Sequence, residues 1–254
     1  MENYLISGCI VTHNNMGTIK ETLDSLLEYT KAIPFKLYVV DNLSTDGTCE
    51  FVKENYPQVE LIETHANDGF GAGHNYILPK LDSKYHAIIN PDIIIRDDEI
   101  AKMAKRLDAD EHIGLLSPKI CFPDGRLQIL GKKNPKLKYL TASRMRSEEP
   151  GKLLREYARL DENLDDEMYI ENATGCFMFV RTDLFKKVGG FDKRYFMYFE
   201  DCDLTREINK TAKVLYYPQS VIYHVWGRDS KKSRKLMLIQ ISSMVKYFCK
   251  WCGQ

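Results

Sequence analysis

The feature that most limits the fold of this chain is a rhythm in its first half. Short runs rich in Val, Ile and Leu end in polar residues, and apolar residues at helical spacing then follow. Leu5–Val11, Phe35–Val40, Val59–Glu63, Tyr85–Ile89 and Ile113–Leu116 read as strands. Between them, Ile19–Tyr29 carries Ile19, Leu23, Leu26 and Leu27 on one helical face. Residues 45–56, with Ser44 or Thr45 as N-cap, and Ile100–Leu107 read as further helices. Strand, helix and strand in this order imply crossover units, hence an α/β fold with a mostly parallel central sheet flanked by helices.

The rhythm changes after residue 117. Phe122-Pro-Asp-Gly-Arg126 is a turn signal between two apolar runs and predicts a hairpin. Residues 131–168 are polar without a clear period, and predict a mobile loop with one helix that binds something. Cys176–Val180, Val214–Tyr217 and Val221–Tyr223 read as strands, and a helix is expected from Asp201 to before Lys213. The expected organisation is a nucleotide-binding half (1–117), a smaller acceptor and catalytic half (118–230), and a basic amphipathic helix (231–254).

The 254 residues carry 36 basic and 36 acidic side chains, which argues against a nucleic-acid partner. Seven scattered cysteines suit reduced thiols, and Cys249-x-x-Cys252 reads as two helix residues. The start has no basic leader, and no run of about 18 apolar residues exists, so a cytoplasmic location is expected.

In an open α/β sheet, ligands bind beyond the carboxyl ends of the strands. Thr12-His-Asn14 follows the first strand and Asp41-Asn42 the second. Such an aspartate accepts hydrogen bonds from a nucleobase or ribose, or else serves turn chemistry. Asn67-Asp-Gly69-Phe70-Gly-Ala-Gly-His-Asn75 lets the backbone approach a ligand, or is a tight loop before a helix. It does not match the dinucleotide fingerprint. Asn90-Pro-Asp92 offers one carboxylate which, with substrate phosphates, suits Mg2+; alternatively it is an ordinary turn.

Glu200 and Asp201 follow the aromatic run Tyr195–Phe199. Aromatic surroundings raise a carboxylate's proton affinity toward that of a general base, while the plainer reading is acids at a helix N-terminus. Asp203 can cap that helix while Asp201 works. His224 ends a strand and can ligate a metal, with Arg228 and Lys231 able to neutralise a diphosphate.

Taken in order, these segments resemble the family 2 glycosyltransferases of the GT-A fold, within them the bacterial rhamnosyltransferase-like branch. The likeness rests on Ile10–Asn14, Val39–Gly47, Asn67–Asn75, Asn90–Asp92, Gly175–Arg181, Gly189–Asp192 and Tyr195–Asp203, and spans residues 4–228. It implies a nucleotide-diphospho-sugar site made by Thr12, Asn14, Asp41, Asn42, Asn67, Gly69, Phe70, Asn75, Asn90 and Arg228. It implies Mg2+ or Mn2+ held by Asp92, with His224 beside the diphosphate as a second metal residue. Asp201 would be the catalytic base of an inverting displacement, with Glu200 orienting the acceptor.

Many relatives carry Asp-x-Asp where this chain has Asn90-Pro-Asp92, so metal binding without nucleotide should be weak. The Asn-Pro-Asp form resembles that of the dTDP-rhamnosyltransferases of the family, so the resemblance implies dTDP-rhamnose as donor. UDP-hexose or UDP-N-acetylhexosamine donors are the near alternative, and an inactive sugar-nucleotide-binding subunit is the other class. A sugar nucleotidyltransferase would need a Gly- and Arg-rich loop after the first strand, where Thr12-His-Asn-Asn15 stands.

Residues 231–254 hold six basic side chains and no acidic one, interleaved with Leu236, Leu238, Ile239, Ile241, Met244, Val245, Phe248 and Trp251. Such a helix either lies at an anionic membrane, suiting a lipid-linked glycan acceptor, or packs on the core with a solvated basic face.

Overall fold

A computed structural model of the protein describes residues 5–144, 149–226 and 233–253. Its strands are β1 (Ile6–Thr12), β2 (Phe35–Asp41), β3 (Glu60–Glu63), β4 (Tyr85–Ile89), β5 (Ile93–Ile94), β6 (Ile113–Cys121), β7 (Met168–Tyr169), β8 (Phe177–Arg181) and β9 (Lys213–His224). The helices are α1 (Ile19–Tyr29), α2 (Thr48–Asn55), α3 (Phe70–Asn75), α4 (Glu99–Asp108), α5 (Leu137–Arg144), α6 (Lys152–Ala158), α7 (Thr182–Lys187), α8 (Glu200–Ile208) and α9 (Arg234–Lys250).

One sheet in the order β3-β2-β1-β4-β8-β6-β9-β5 runs through the molecule, and β7 pairs with β9. The expected boundary at residue 117 falls inside β6. Strands β3, β2, β1 and β4 are parallel, so their carboxyl ends share one edge, with Thr12 opposite Asp41. Strand β8 is antiparallel to both β4 and β6, which makes the sheet mixed. The alternation of side chains splits the apolar residues between two faces. Ile10, Val39, Ala87 and Ile89 join α1 and α4 on one side. Cys9, Val11, Tyr38, Val40 and Ile88 join Phe185, Leu204 and Ile208 on the other.

Three expectations need correction. Residues 131–168 are not one irregular loop: α5 and α6 pack as a pair, joined by stacked Tyr139 and Tyr157 rings 5.0 Å apart. Helices of eight and seven residues are too short to show a period in sequence. Helix α2 starts at Thr48, because Asn14 Oδ1 and Asp41 Oδ1 draw the backbone N–H groups of Thr45 and Ser44 into a turn. Residues 214–223 lie in one strand, β9, whose ladder with β6 is offset after Tyr217. The turn at 122–126 forms as expected, closed by Phe122 N–H on the Arg126 carbonyl at 2.8 Å. Among the described residues, no helix is long and apolar enough to cross a membrane.

Candidate active site

At the carboxyl edge of β1 and β2, Thr12 donates its hydroxyl to Asp41 Oδ2 at 2.9 Å. Asp41 Oδ1 accepts the Ser44 N–H at 2.8 Å, and Asn42 Nδ2 donates to the Gly69 carbonyl at 2.9 Å. Thr12, Asp41 and Asn42 are buried, so they form the floor of this edge. Asn14 is exposed in a left-handed conformation (φ 59°) and ties the first loop to the second through Thr45. Leu43 beside it is also left-handed (φ 61°).

Of its two expected readings, the glycine-rich segment adopts that of a tight loop before a helix, α3. A Cβ on Gly69 (φ 92°) would stand 1.9 Å from the Phe196 carbonyl oxygen, and one on Gly73 would stand 2.6 Å from Val11 Cγ1. The close approach is thus to the chain itself, and it lets Phe70 N–H donate to the Phe196 carbonyl at 3.0 Å. Asn67 supports the same loop by accepting the Gly69 N–H at 3.1 Å. Asn75 is held by the backbone that follows α7. Its amide gives one bond to the Phe191 carbonyl at 2.7 Å and takes one from the Phe191 N–H at 2.9 Å, which makes it a backbone clamp. Phe70 does face the site. Its ring edge lies 3.5 Å from where a Gly175 Cβ would stand, beside Asp201.

The geometry of Asp92 follows from the short strand after it. Pairing of β5 with β9 sets Ile93 opposite His224. Val225 N–H then donates to the Asp92 carbonyl at 3.1 Å, and Trp226 N–H to Asp92 Oδ2 at 3.2 Å. Asp92 Oδ1 is buried, has no hydrogen-bond donor, and lies 3.3 Å from His224 Nε2.

Gln128, on the return of the 122–126 turn, fixes the tautomer of His224. Its Nε2 donates to the His224 carbonyl at 2.6 Å, so its Oε1, 3.0 Å from His224 Nδ1, must accept from an Nδ1–H. That leaves the Nε2 lone pair of a neutral His224 facing the orphaned Asp92 oxygen. Two acceptors at this distance need a positive charge between them. Burial opposes a proton there, but Cys176 and the Asp92 carboxylate outweigh it and hold the imidazole up to about 10.

A divalent ion meets the same need, because two neighbouring ligands about 2.1 Å from an octahedral centre stand about 3 Å apart. Among the described residues, no group of three His, Cys, Asp or Glu side chains gathers to hold an ion. Asp92 and His224 therefore fit an ion whose other ligands come from phosphate and water. Asn90, the position lacking a second acid, is tied by its N–H to the Cys176 carbonyl at 2.9 Å.

Because β8 starts where β4 ends, Gly175 and Cys176 reach the same edge. Gly175 N–H donates to Asp201 Oδ2 at 2.9 Å, while Cys176 touches His224. Two consecutive residues therefore link the Asp92–His224 pair to Asp201. Asp201 Oδ1 also accepts the Cys202 N–H at 2.8 Å. Burial pushes Glu200 far above the usual carboxylate range, with the neighbouring Asp201 charge adding to it. Burial raises Asp201 too, but the N–H groups of Gly175 and Cys202 hold it down. Glu200 therefore keeps a proton more readily, and Asp201 carries the charge. Asp203 does not cap α8; it accepts from Trp251 Nε1 at 2.8 Å and Lys250 Nζ at 2.7 Å.

Of the six non-glycine residues with positive φ among those described, five border this region: Asn14, Leu43, Tyr198, Phe199 and Trp226. Strain of this kind persists where surrounding structure over-determines it, commonly at functional sites. Arg228 and Lys231 lie outside the described residues. Gln128, Cys176 and Trp226 join the site without having been expected there. Only Gly175–Arg181, within the family-like segments, hinted at Cys176.

The profile of "Glycosyl transferase family 2" matches residues 7–189. Among curated proteins, the N-acetylglucosaminyl-diphospho-decaprenol L-rhamnosyltransferase of Mycobacterium tuberculosis is 28% identical over 230 residues, 84% of this chain and 74% of that protein. Rhamnosyltransferase WbbL of Escherichia coli is 26% identical over 220 residues, 82% of this chain and 78% of that protein. Among solved structures, mannosyltransferase PcManGT from Pyrobaculum calidifontis, in complex with GDP-Man and Mn2+, superposes with a TM-score of 0.67 at 19% identity. S. aureus TarS superposes at 0.62 and 18%. The matches cover 99% and 93% of this chain, but only 65% and 39% of those two chains. At these identities the structures support the fold, the GT-A arrangement expected above.

Proposed function

Because the chain belongs to glycosyl transferase family 2, we propose that it moves L-rhamnose from dTDP-rhamnose to a hydroxyl of a lipid-linked glycan, with inversion. The observation that carries this reading is the Gly175–Cys176 link, which gathers a candidate base and a candidate metal pair at one sheet edge. Thr12, Asp41 and Asn42 form the floor for base and ribose, and Phe70 the wall beside the transferred sugar. Asp201 accepts the acceptor's proton as its oxygen bonds to the anomeric carbon. The bond from that carbon to the phosphate oxygen breaks, and its electrons leave with the nucleoside diphosphate. Glu200, protonated and with Oε2 lacking a partner in the chain, donates a hydrogen bond that orients the acceptor.

Asp92 and His224 would hold Mg2+ or Mn2+, which when bound offsets the charge gathering on the diphosphate. A Mn2+ ion is named in the PcManGT complex, which supports a divalent requirement. The rhamnosyl donor is supported by the names of two relatives, and the lipid-linked acceptor by the diphospho-decaprenol in one of them.

The test is nucleotide release by the purified protein from dTDP-rhamnose and from UDP-sugars, with Mg2+ or Mn2+ and a polyprenyl-diphosphate-linked sugar. Release of dTDP that depends on the acceptor is expected. Turnover only with UDP-sugars would replace the donor, and no turnover with any of them would leave a sugar-nucleotide-binding subunit.

A further inference from the structure

Helix α9 is fastened to the molecule by one face. Ser243 Oγ donates to the Met197 carbonyl at 2.8 Å, and Tyr247 and Trp251 are buried with Tyr195 and Phe199. Positions 243, 247 and 251 recur every four residues, so they form one stripe. The opposite stripe is aliphatic and uncovered: Leu238 is 64% exposed, Ile241 40% and Val245 54%. The helix therefore shows an apolar stripe to solvent as well as one to the core, whereas a surface helix usually has only the second.

The charge around that stripe is of one sign. Residues 234–250 include Arg234, Lys235, Lys246 and Lys250 and no acid. Lys250 is bound to Asp192, Asp203 and Glu207, but Lys246 donates to the uncharged Arg194 carbonyl, and Arg234 and Lys235 are exposed at the helix start. The positive end of the helix dipole lies there too, which adds to their field.

We infer that this stripe docks on the surface of an anionic lipid bilayer, Leu238, Ile241 and Val245 entering the acyl boundary while the basic side chains meet lipid phosphates. A second copy of the chain is a poorer occupant, since a twofold contact would set the basic rim against itself. A bilayer satisfies both features together, because interfacial helices bind by apolar burial plus attraction to anionic headgroups. The anchor of α9 matters for what the surface would do. Asp203, which holds Lys250 and Trp251, lies two residues after Asp201 on α8. Docking would therefore bring the helix carrying the proposed base to the membrane, where a lipid-linked acceptor lies. In that purpose the inference rests on the acceptor reading above; the exposed stripe does not.

The test is flotation of the full chain with phosphatidylcholine vesicles, with and without phosphatidylglycerol. Flotation is expected only with the anionic vesicles, and high salt should weaken it. Leu238→Ser, Ile241→Ser and Val245→Ser together should lower binding by more than about tenfold, and Arg234→Gln by about fivefold. All four side chains are solvent-facing, so melting temperature should hold and binding alone should fall. Undiminished flotation of the triple variant would overturn the inference. So would sedimentation of the wild-type chain as a dimer that the triple variant dissolves. Nucleotide release measured without vesicles separates the two readings. Its absence in a chain that floats removes the catalytic proposal, and its presence in a chain that does not float removes the membrane surface.

Discussion

Replacing Asp201 by Asn tests the reaction chemistry with little change of shape. A positioned general base contributes about 10²–10⁴-fold, or roughly 2.7–5.4 kcal/mol of barrier. Asparagine cannot take the acceptor's proton, so turnover should fall by that factor. The structure also sets what happens to stability. Asp201 accepts two N–H groups, from Gly175 at 2.9 Å and Cys202 at 2.8 Å, and the amide can accept only on its oxygen. One N–H is left facing an NH2 group, at a cost of about 1–3 kcal/mol.

Against this, the variant removes a carboxylate whose pKa is raised by burial. A raised carboxyl contributes stability below its unfolded pKa and loses it as pH rises through the folded value, so at pH 8 the charge is a burden. The two effects oppose, and the melting temperature at pH 8 should stay within a few degrees. The assay is acceptor-dependent nucleotide release, with donor affinity by calorimetry alongside. Affinity should hold within a few fold while turnover collapses. Turnover within fivefold of wild type, in a folded variant that binds donor, would refute Asp201 as base. The wild-type rate should fall as pH drops through the raised Asp201 pKa, above the usual carboxylate range.

Other expectations follow from the same edge. Asp92→Ala should raise the Mn2+ and donor concentrations needed for half-maximal rate; an unchanged metal titration would remove Asp92 from that role. Gln128→Leu should free His224 from its tautomer and weaken Mn2+ dependence in the same assay, with the fold intact by circular dichroism. Gly69→Ala, with its Cβ driven to 1.9 Å from the Phe196 oxygen, should lower the melting temperature sharply or prevent folding. Burial, with the Arg159 charge, lowers the Lys132 amine to about 8. A depressed lysine costs stability below its folded pKa, so Lys132→Met should stabilise the protein by about 3 kcal/mol at pH 7. In denaturant melts that gain should fade between pH 8 and 10.5.

The amino-acid sequence alone determined the layers and, in the first half, where β1, β2 and β4 end. An apolar run must be buried and its polar successor must leave the sheet, so Thr12, Asp41, Asn90 and Asp92 are legible as edge residues from the sequence. What pairs with what was decided by the tertiary structure. Strand β8 enters antiparallel between β4 and β6, and only that insertion brings Gly175 to Asp201 and Cys176 to His224. Gln128 lies 96 residues from the histidine it orients, and Asn75 lies 116 from the backbone it clamps. No local pattern encodes a partner at such separation. The glycines of 69–73 read as room for a ligand or as a tight loop, and close contact with Phe196 and Val11 decided for the loop. Helix α9 is apolar on two sides, so periodicity could not say which side turns inward. Hydrogen bonds from Ser243 and Trp251 made that choice, because a buried hydroxyl or indole N–H needs a partner that an aliphatic chain does not.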